Sequence, residues 1–520
     1  MKYNVYYPIL FSINPILLLF AVNLNEITIS QLFPVVILSP LTAAGLIWLL
    51  NKYLNNYHRS GYIIFILSFW FFHYGTVRLY LVNAIYIGNT SIGAHLIFFP
   101  IWSMVFILLG SSWLWRRITS PITITRYLNI FCVALICLSL YRITRSLIPQ
   151  YFINRDENQT VLPIPDLSLI SNLPDIYYII LDGYAREDVL REIYHYDNAD
   201  FINALEDRGF FVAAQSQSNY IQTTLSLASS LNMEYLSNLP VGTIDRGPLI
   251  GMIRQNRTQA VLKQLGYITV SFSTGFLPTE LTNADNYFTQ TTIRESQNLN
   301  ALILYYSPVI ILIENGWFNL PLSRFRDQQA RINYTFETIS KFGPQISSPK
   351  FVFAHITAPH PPFIFNRGGS INPEEYYILV DGFNLPGGTK AYIRGYIDQL
   401  IYVNKQILNA VDGILATSKS PPVIIIQSDH GPGAYLDWGS AENTCLKERF
   451  SILNALYLPQ GGSNLVPENL TPVNTFSIIL NKYFGTQIEL LDNKNYFSTL
   501  GNPYNLVDLS SSSQVTCDIP

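Results

Sequence analysis

"VIIIQSDHGPG", residues 423–433, sets four β-branched residues and a Gln-Ser pair in front of Asp429, His430 and a Gly-Pro-Gly run. The apolar half predicts a buried strand. Asp and Gly close strands for reasons of backbone geometry alone, because Asp accepts local N–H bonds and Gly tolerates turn conformations. The same residues also suit a strand that delivers a carboxylate and an imidazole to its carboxyl end. The choice between an ordinary turn and a ligand-bearing one depends on what the other strand ends bring.

Beyond residue 174, apolar runs of strand length alternate with helical stretches. "IYYIIL" (176–181) is followed by "REDVLREIYHY", "ADFINALEDRG" and "FFVAA". A Ser/Thr-rich stretch then leads to "YITVSFS" (267–273), "KFVFAHIT" (350–357), an amphipathic run over about 391–416, and "VIIIQS" (423–428). Strands apolar on both faces and separated by helices predict an α/β domain with a mainly parallel sheet covered on each side. Ligands of such sheets bind beyond the carboxyl ends of the strands. Four places qualify: Asp182-Gly183, "APHPP" after 350–357, Asp429-His430-Gly431, and "SNYIQTTLSLASSLN" (218–232), where Leu225, Leu227 and Leu231 suit a helix with Thr223 or Thr224 at its start.

The N-terminal part differs in kind. The chain has 520 residues, 49% of them hydrophobic, with a mean hydropathy of +0.21, and the apolar excess is concentrated before residue 148. Segments 8–23, 32–50, 61–82, 93–115 and 127–147 each approach the roughly 20 residues that a spanning helix needs. This predicts about five transmembrane helices over 1–147, a Pro-rich linker over 148–174 and an exported domain over 175–520. Lys2, Lys52, Arg59, Arg116, Arg117 and Arg126 fall in alternate loops, which places those loops in the cytoplasm and the C-terminal domain outside it. A net charge of −3 and a pI near 6.2 carry no basic footprint, so nucleic acid is excluded as a partner. Cys132 and Cys137 read as small buried hydrophobes of the fifth segment. Cys445 and Cys517 are both in the exported part and could pair there. No feature speaks to oligomeric state.

An Asp at one strand end, an Asp-His pair at another and a hydroxyl at a helix start make a site of mixed oxygen and nitrogen ligands for one divalent cation, Mn, Zn, Mg or Ca. Such a cation would lower the pKa of the Thr hydroxyl and draw charge from a phosphoryl oxygen. The helix N-terminus adds unpaired N–H groups on the anion's side. Asp381-Gly382, which follows another apolar run, "YYILV", reads as a turn. His355 reads as a satisfied core or supporting histidine, whereas His360 lies between prolines past the strand end.

The order "PDIYYIILDG", "SNYIQTTLSLASSLN", "HITAPHPP" and "IIIQSDHG" resembles the alkaline phosphatase superfamily in its sulfatase-like branch. With its apolar N-terminal part, the chain is similar to the membrane-anchored lipoteichoic acid synthases and lipid A phosphoethanolamine transferases. That resemblance implies Asp182, Asp429 and His430 as metal ligands, Thr223 as a nucleophile that also touches the metal, and His360 as a substrate or leaving-group contact. The T-x-x-S spacing to Ser226 selects Thr223 over Thr224. Arg449, in "CLKERFSILNALYLP", reads equally as a phosphate-oxygen contact and as half of a surface ion pair. The first ligand in those transferases is usually Glu, and here it is the shorter Asp182. No histidine follows His430, which implies one principal metal, and no C/S-x-P-x-R context for a formylglycine is present.

The resulting expectation is a membrane-anchored, metal-dependent phosphoryl-group transferase that acts with a Thr nucleophile on lipid-linked or envelope glycan substrates. Two alternatives stand beside it. One is a hydrolase of phosphate or sulfate esters that uses the same site, and the other is a membrane scaffold with a decayed domain. The 391–416 run reads first as a packing face against the sheet, and only the resemblance implies that its Tyr396 and Asn404 border the pocket. Gly431→Val is expected to impair activity more than folding.

Overall fold

The computed structural model describes residues 5–22, 29–84, 91–118, 120–152, 173–236, 239, 244–290, 299–314, 324–372, 381–382, 388–510 and 517. The chain forms two compact units, Met1–Ile153 with Thr291–Ser323, and Asn154–Gln290 with Arg324–Pro520.

The first unit is helical. Among the described residues, four helical stretches are long and apolar enough to cross a membrane: Gln31–Leu54, Tyr57–Arg78, Phe98–Arg116 and Pro121–Thr144. The expected first span is a helix of 16 residues, Tyr7–Val22. At 1.5 Å per residue it measures about 24 Å, short of a hydrocarbon core of about 30 Å. Phe33, Leu38, Leu41, Ile101, Met104, Ile107 and Ile130 are exposed on the longer helices, an outward apolar surface that a bilayer solvates and water does not.

The first unit also takes in a segment that sequence reading assigned to the exported domain. The apolar helix Leu299–Tyr306 buries Leu299 among Ile16, Leu17, Phe20 and Ile143. A side chain at Gly75 would run into the backbone of Tyr306, so the glycine permits this helix to pack closely. The last long helix runs on to Phe152, so the linker expected from 148 starts later, and residues 153–172 lie outside the described set.

The second unit is built on a seven-stranded sheet. In chain order its strands are β1 (Ile176–Leu181), β2 (Phe211–Val212), β3 (Ile268–Phe272), β4 (Asn286–Phe288), β5 (Lys350–Ile356), β6 (Val423–Gln427) and β7 (Asn454–Tyr457), and across the sheet they lie β2-β7-β6-β1-β5-β3-β4. All neighbours pair in parallel except those of β7, which runs antiparallel to β6 and β2. β4 is only three residues long and β7 lies in "ILNALYL" (452–458), and neither was among the expected strands.

Alternate residues of β1 serve opposite cores. Tyr177, Ile179 and Leu181 join one cluster, and Ile176, Tyr178 and Ile180 join the other. The long helix Gly388–Thr417 covers the first face, with Tyr392, Tyr396, Leu400, Val403, Ile407 and Val411 buried along one stripe. The helix Thr223–Ser230 covers the second through Leu225 and Leu227.

Cys445 and Cys517 join as a disulfide across 72 residues. Cys445 also caps the short helix Leu446–Phe450, its sulfur accepting from the Glu448 N–H. The cross-link therefore ties the tail to the helix that carries Arg449. Non-reducing peptide mapping of the protein made in its native membrane should recover Cys445 and Cys517 in one linked species. Two free thiols would place the domain in a reducing compartment.

Candidate active site

Three strands whose ends carry chemistry, β5, β1 and β6, are neighbours at the centre of the sheet, with Ile180 of β1 in register with both His355 and Gln427. Asp182 follows β1. Its N–H donates to the Ile356 carbonyl at 3.0 Å, and its own carbonyl accepts from the His360 N–H at 2.9 Å, so the β1 and β5 ends are tied together. Gly183 takes φ +70°, the left-handed turn that sends the chain away, and its N–H donates to Asp429 Oδ1 at 3.2 Å. Ser428 accepts from the Tyr184 N–H at 2.8 Å and donates to the His430 carbonyl at 2.7 Å.

From the long helix, the Tyr396 hydroxyl donates to the Gly183 carbonyl at 3.0 Å and accepts from the Ala185 N–H at 2.9 Å. Asn404 accepts from the Tyr184 hydroxyl at 2.6 Å. Tyr396 and Asn404 thus hold the Asp182 turn from behind.

Thr223 is the first residue of its helix, and its Oγ1 lies 3.1 Å from His430 Nε2. His430 Nδ1 donates to the Gly431 carbonyl at 2.9 Å, which fixes the tautomer and leaves the Nε2 lone pair facing the site. That nitrogen is 3.4 Å from Asp429 Oδ2 and 3.6 Å from Asp182 Oδ1. Burial, assisted by the Arg449 charge, lowers the His430 pKa and keeps the ring neutral. Burial opposes ionisation of Asp182, but the neighbouring His360 charge holds its carboxyl well below the usual carboxylate range.

Asp182 Oδ1, Asp429 Oδ2 and His355 Nε2 are all buried with no hydrogen-bond partner. Orphaned lone pairs gathered in a dry site call for a cation. Asp182 with His360 and His430, and Asp182 with His355 and Asp429, each place their ligand atoms within 4.8 Å of one another. The donor set fits a divalent cation.

Behind these groups lies a charge network that sequence reading missed. Asp381, read as a turn, is buried and takes three side chains. The Tyr392 hydroxyl donates to Oδ1 at 2.6 Å, while Oδ2 accepts from Arg449 Nη1 at 2.7 Å and faces His360 Nε2 at 3.2 Å. Arg449 is buried behind these groups. Its guanidinium is 1% exposed and also donates to the carbonyls of Ile221 and Gly431, which flank Thr223 and His430. Four of its five N–H donors are engaged by these protein oxygens, so the guanidinium is held within the fold rather than open to the expected phosphate contact.

The expectation for Gly431 also changes. A Cβ there would meet the backbone carbonyl of Glu448, so Gly431→Val disrupts packing before it disturbs chemistry. His360 is the most open of the clustered ionisable groups, at 27%. His355, inside β5, is adjacent to Asp182, with Nε2 3.3 Å from Oδ2. Only its place in a strand that ends at the site pointed to it.

Removing the guanidinium strands Asp381 in a dry interior. Arg449→Met should therefore cost about 3–5 kcal/mol in chemical denaturation. A loss under about 1 kcal/mol would show that His360 and Tyr392 suffice to stabilise the carboxylate.

Residues 174–483 match the Sulfatase family model. No curated protein matches the chain. Among solved structures, the C-terminal periplasmic domain of EcEptC from Escherichia coli is similar at 13% identity, over 66% of this chain and 96% of that one, with a TM-score of 0.44. The integral membrane lipooligosaccharide phosphoethanolamine transferase A from Neisseria meningitidis aligns at 11% identity, over 84% and 88%, with a TM-score of 0.37. A phosphonate monoester hydrolase from Silicibacter pomeroyi aligns at 13% identity, over 61% and 74%, with a TM-score of 0.40. With its family match covering more than half of its length, the chain belongs to the Sulfatase family and is a membrane enzyme of the alkaline phosphatase superfamily.

Proposed function

We propose that this enzyme is a metal-dependent phosphoryl-group transferase that uses Thr223 as nucleophile and acts on lipid-linked or envelope phosphodiesters outside the cytoplasm. The observation that carries this reading is the Thr223 hydroxyl at a helix N-terminus, 3.1 Å from the unprotonated nitrogen of His430 and beside buried carboxylate oxygens that lack partners. Held by Asp182, Thr223, Asp429 and His430, a divalent cation would supply Lewis acidity toward the hydroxyl and the phosphoryl oxygen.

This chain's residues supply the remaining steps. Thr223 Oγ1 attacks phosphorus in line, the bond from phosphorus to the leaving alcohol breaks as that oxygen takes up the proton Thr223 gives up, and a phospho-threonine forms. An acceptor hydroxyl then attacks phosphorus, the bond to Thr223 breaks, and the side chain regains its proton. The N–H groups of the Thr223–Ser230 helix favour the anionic group during both steps. His360 meets that anion as an imidazolium. Burial alone would lower its pKa, but Asp381 and Asp182 raise it to about 10.

Topology supports an outside location independently of the short first helix. Lys52 and Arg59 flank the connection between the first two long stretches, and Arg116, Arg117 and Arg126 that between the last two. Both loops are cytoplasmic by the positive-inside rule, so the chain leaves the last long helix on the opposite side whether or not Tyr7–Val22 crosses. Anchoring raises the effective concentration of a lipid donor that shares the membrane plane. A hydrolase differs only in having water as the acceptor.

After incubation with its native membranes, the wild-type protein should carry phosphate on Thr223 by mass spectrometry, and Thr223→Ala should carry none. Turnover of an aryl sulfate but not an aryl phosphodiester by the purified protein would reject the transferase.

The rate should also respond to pH through Asp381. Its carboxylate stabilises the imidazolium, so Asp381→Asn lowers the His360 pKa and moves the alkaline fall of kcat/KM to lower pH. An unmoved alkaline limb would remove His360 from the mechanism.

A further inference from the structure

We infer that His355, a strand residue beyond the set of Asp182, Thr223, Asp429 and His430, is a further ligand of the bound cation. The inference rests on the metal-dependent reading of the same site. His355 lies on β5 beside the end of β1, and its side chain is fully buried. Its Nδ1 sits 2.8 Å from Thr279 Oγ1.

The surroundings of Thr279 favour His355 Nδ1 as the donor in that bond. The Thr279 hydroxyl has one proton, and both the Phe276 carbonyl and Thr274 Oγ1 lie 3.0 Å away to accept it. Thr274 is fixed in the same turn, accepting from the Phe276 N–H at 3.0 Å. The Thr279 lone pair is then left to accept from His355 Nδ1–H, and the proton on Nδ1 leaves Nε2 bare.

That bare nitrogen faces a carboxylate. Nε2 is 3.3 Å from Asp182 Oδ2, forms no hydrogen bond, and is buried. Two lone pairs at this distance in a dry interior repel each other. A cation reached by both resolves the conflict, and the Asp429 ligand atom lies within 4.8 Å of those of Asp182 and His355. Thr279 then acts as the hydroxyl that orients a metal-bound imidazole.

The experiment is zinc K-edge X-ray absorption on the detergent-solubilised full chain with one equivalent of Zn²⁺, together with competition against a chelator. Wild type should show two imidazoles, from His430 and His355. His355→Gln should show one and bind zinc at least about 10-fold more weakly. An unchanged imidazole number in His355→Gln overturns the inference. If that variant does not fold, His360→Gln decides the question, since two imidazoles retained assigns the second to His355 and one overturns it. A single imidazole in the wild type rejects His355 alone, whereas wild-type protein that takes up no zinc, manganese, magnesium or calcium rejects the metal-dependent reading with it.

Discussion

Parallel pairing of β5, β1 and β6 at the centre of the sheet is the constraint from which the rest of the site follows. Strands spaced about 4.8 Å apart and ending together place whatever follows each of them within reach of its neighbours. Here Asp182, His355 and Asp429 come from those three strands. Alternation along each strand does the rest. Residues of one parity fill the core beneath the long helix, those of the other fill the core beneath the Thr223 helix, and the elements carrying Tyr396 and Thr223 meet the strand ends from opposite faces.

Bringing carboxylates together in a dry interior creates a problem that the remainder of the domain resolves. Arg449 supplies a fixed charge, and its donors close on Asp381 and on the backbone carbonyls of Ile221 and Gly431. One buried guanidinium thereby sets the relative positions of the Thr223 helix, the His430 loop and Asp381. A fork of rigid donors does this where a lysine would not. The disulfide at Cys445 and the Glu448 carboxyl group, whose oxygens accept from the Ala434 and Tyr435 N–H groups, brace the same short helix.

The β1, β5 and β6 ends were legible because a strand buried on both faces announces itself as a continuous apolar run, and the turn that ends it is easily found. Asp381 and Arg449 were not, because their partnership spans 68 residues and neither local pattern differs from a turn or a surface charge. Arg449 was sought at the phosphate for the right reason, its fork geometry, but sequence carries no sign of the carbonyls that consume it. His355 was hidden by being correctly read as a strand residue. Nothing in "FVFAHIT" tells which face of the strand meets a neighbouring carboxylate. The helix Leu299–Tyr306 was assigned to the exported domain because it follows that domain's elements in the chain, whereas its apolar residues pack with the N-terminal helices.

Charge balance bears on what the site accepts. Asp182, Asp381 and Asp429 contribute three formal negative charges, against one guanidinium and, through Asp381, one imidazolium at His360. The protein alone therefore leaves one negative charge uncompensated, which would repel an anionic ester. A divalent cation reverses the sign and leaves one positive charge, the counterpart of a singly charged diester. Asp381 is thus more than a support for His360. By keeping His360 protonated, its negative charge would maintain a balance in which the cation changes the sign, and the buried pairing with His360 and Arg449 stabilises that carboxylate against protonation. In the proposed mechanism Asp381 and Arg449 would act on the substrate's charge without touching the substrate.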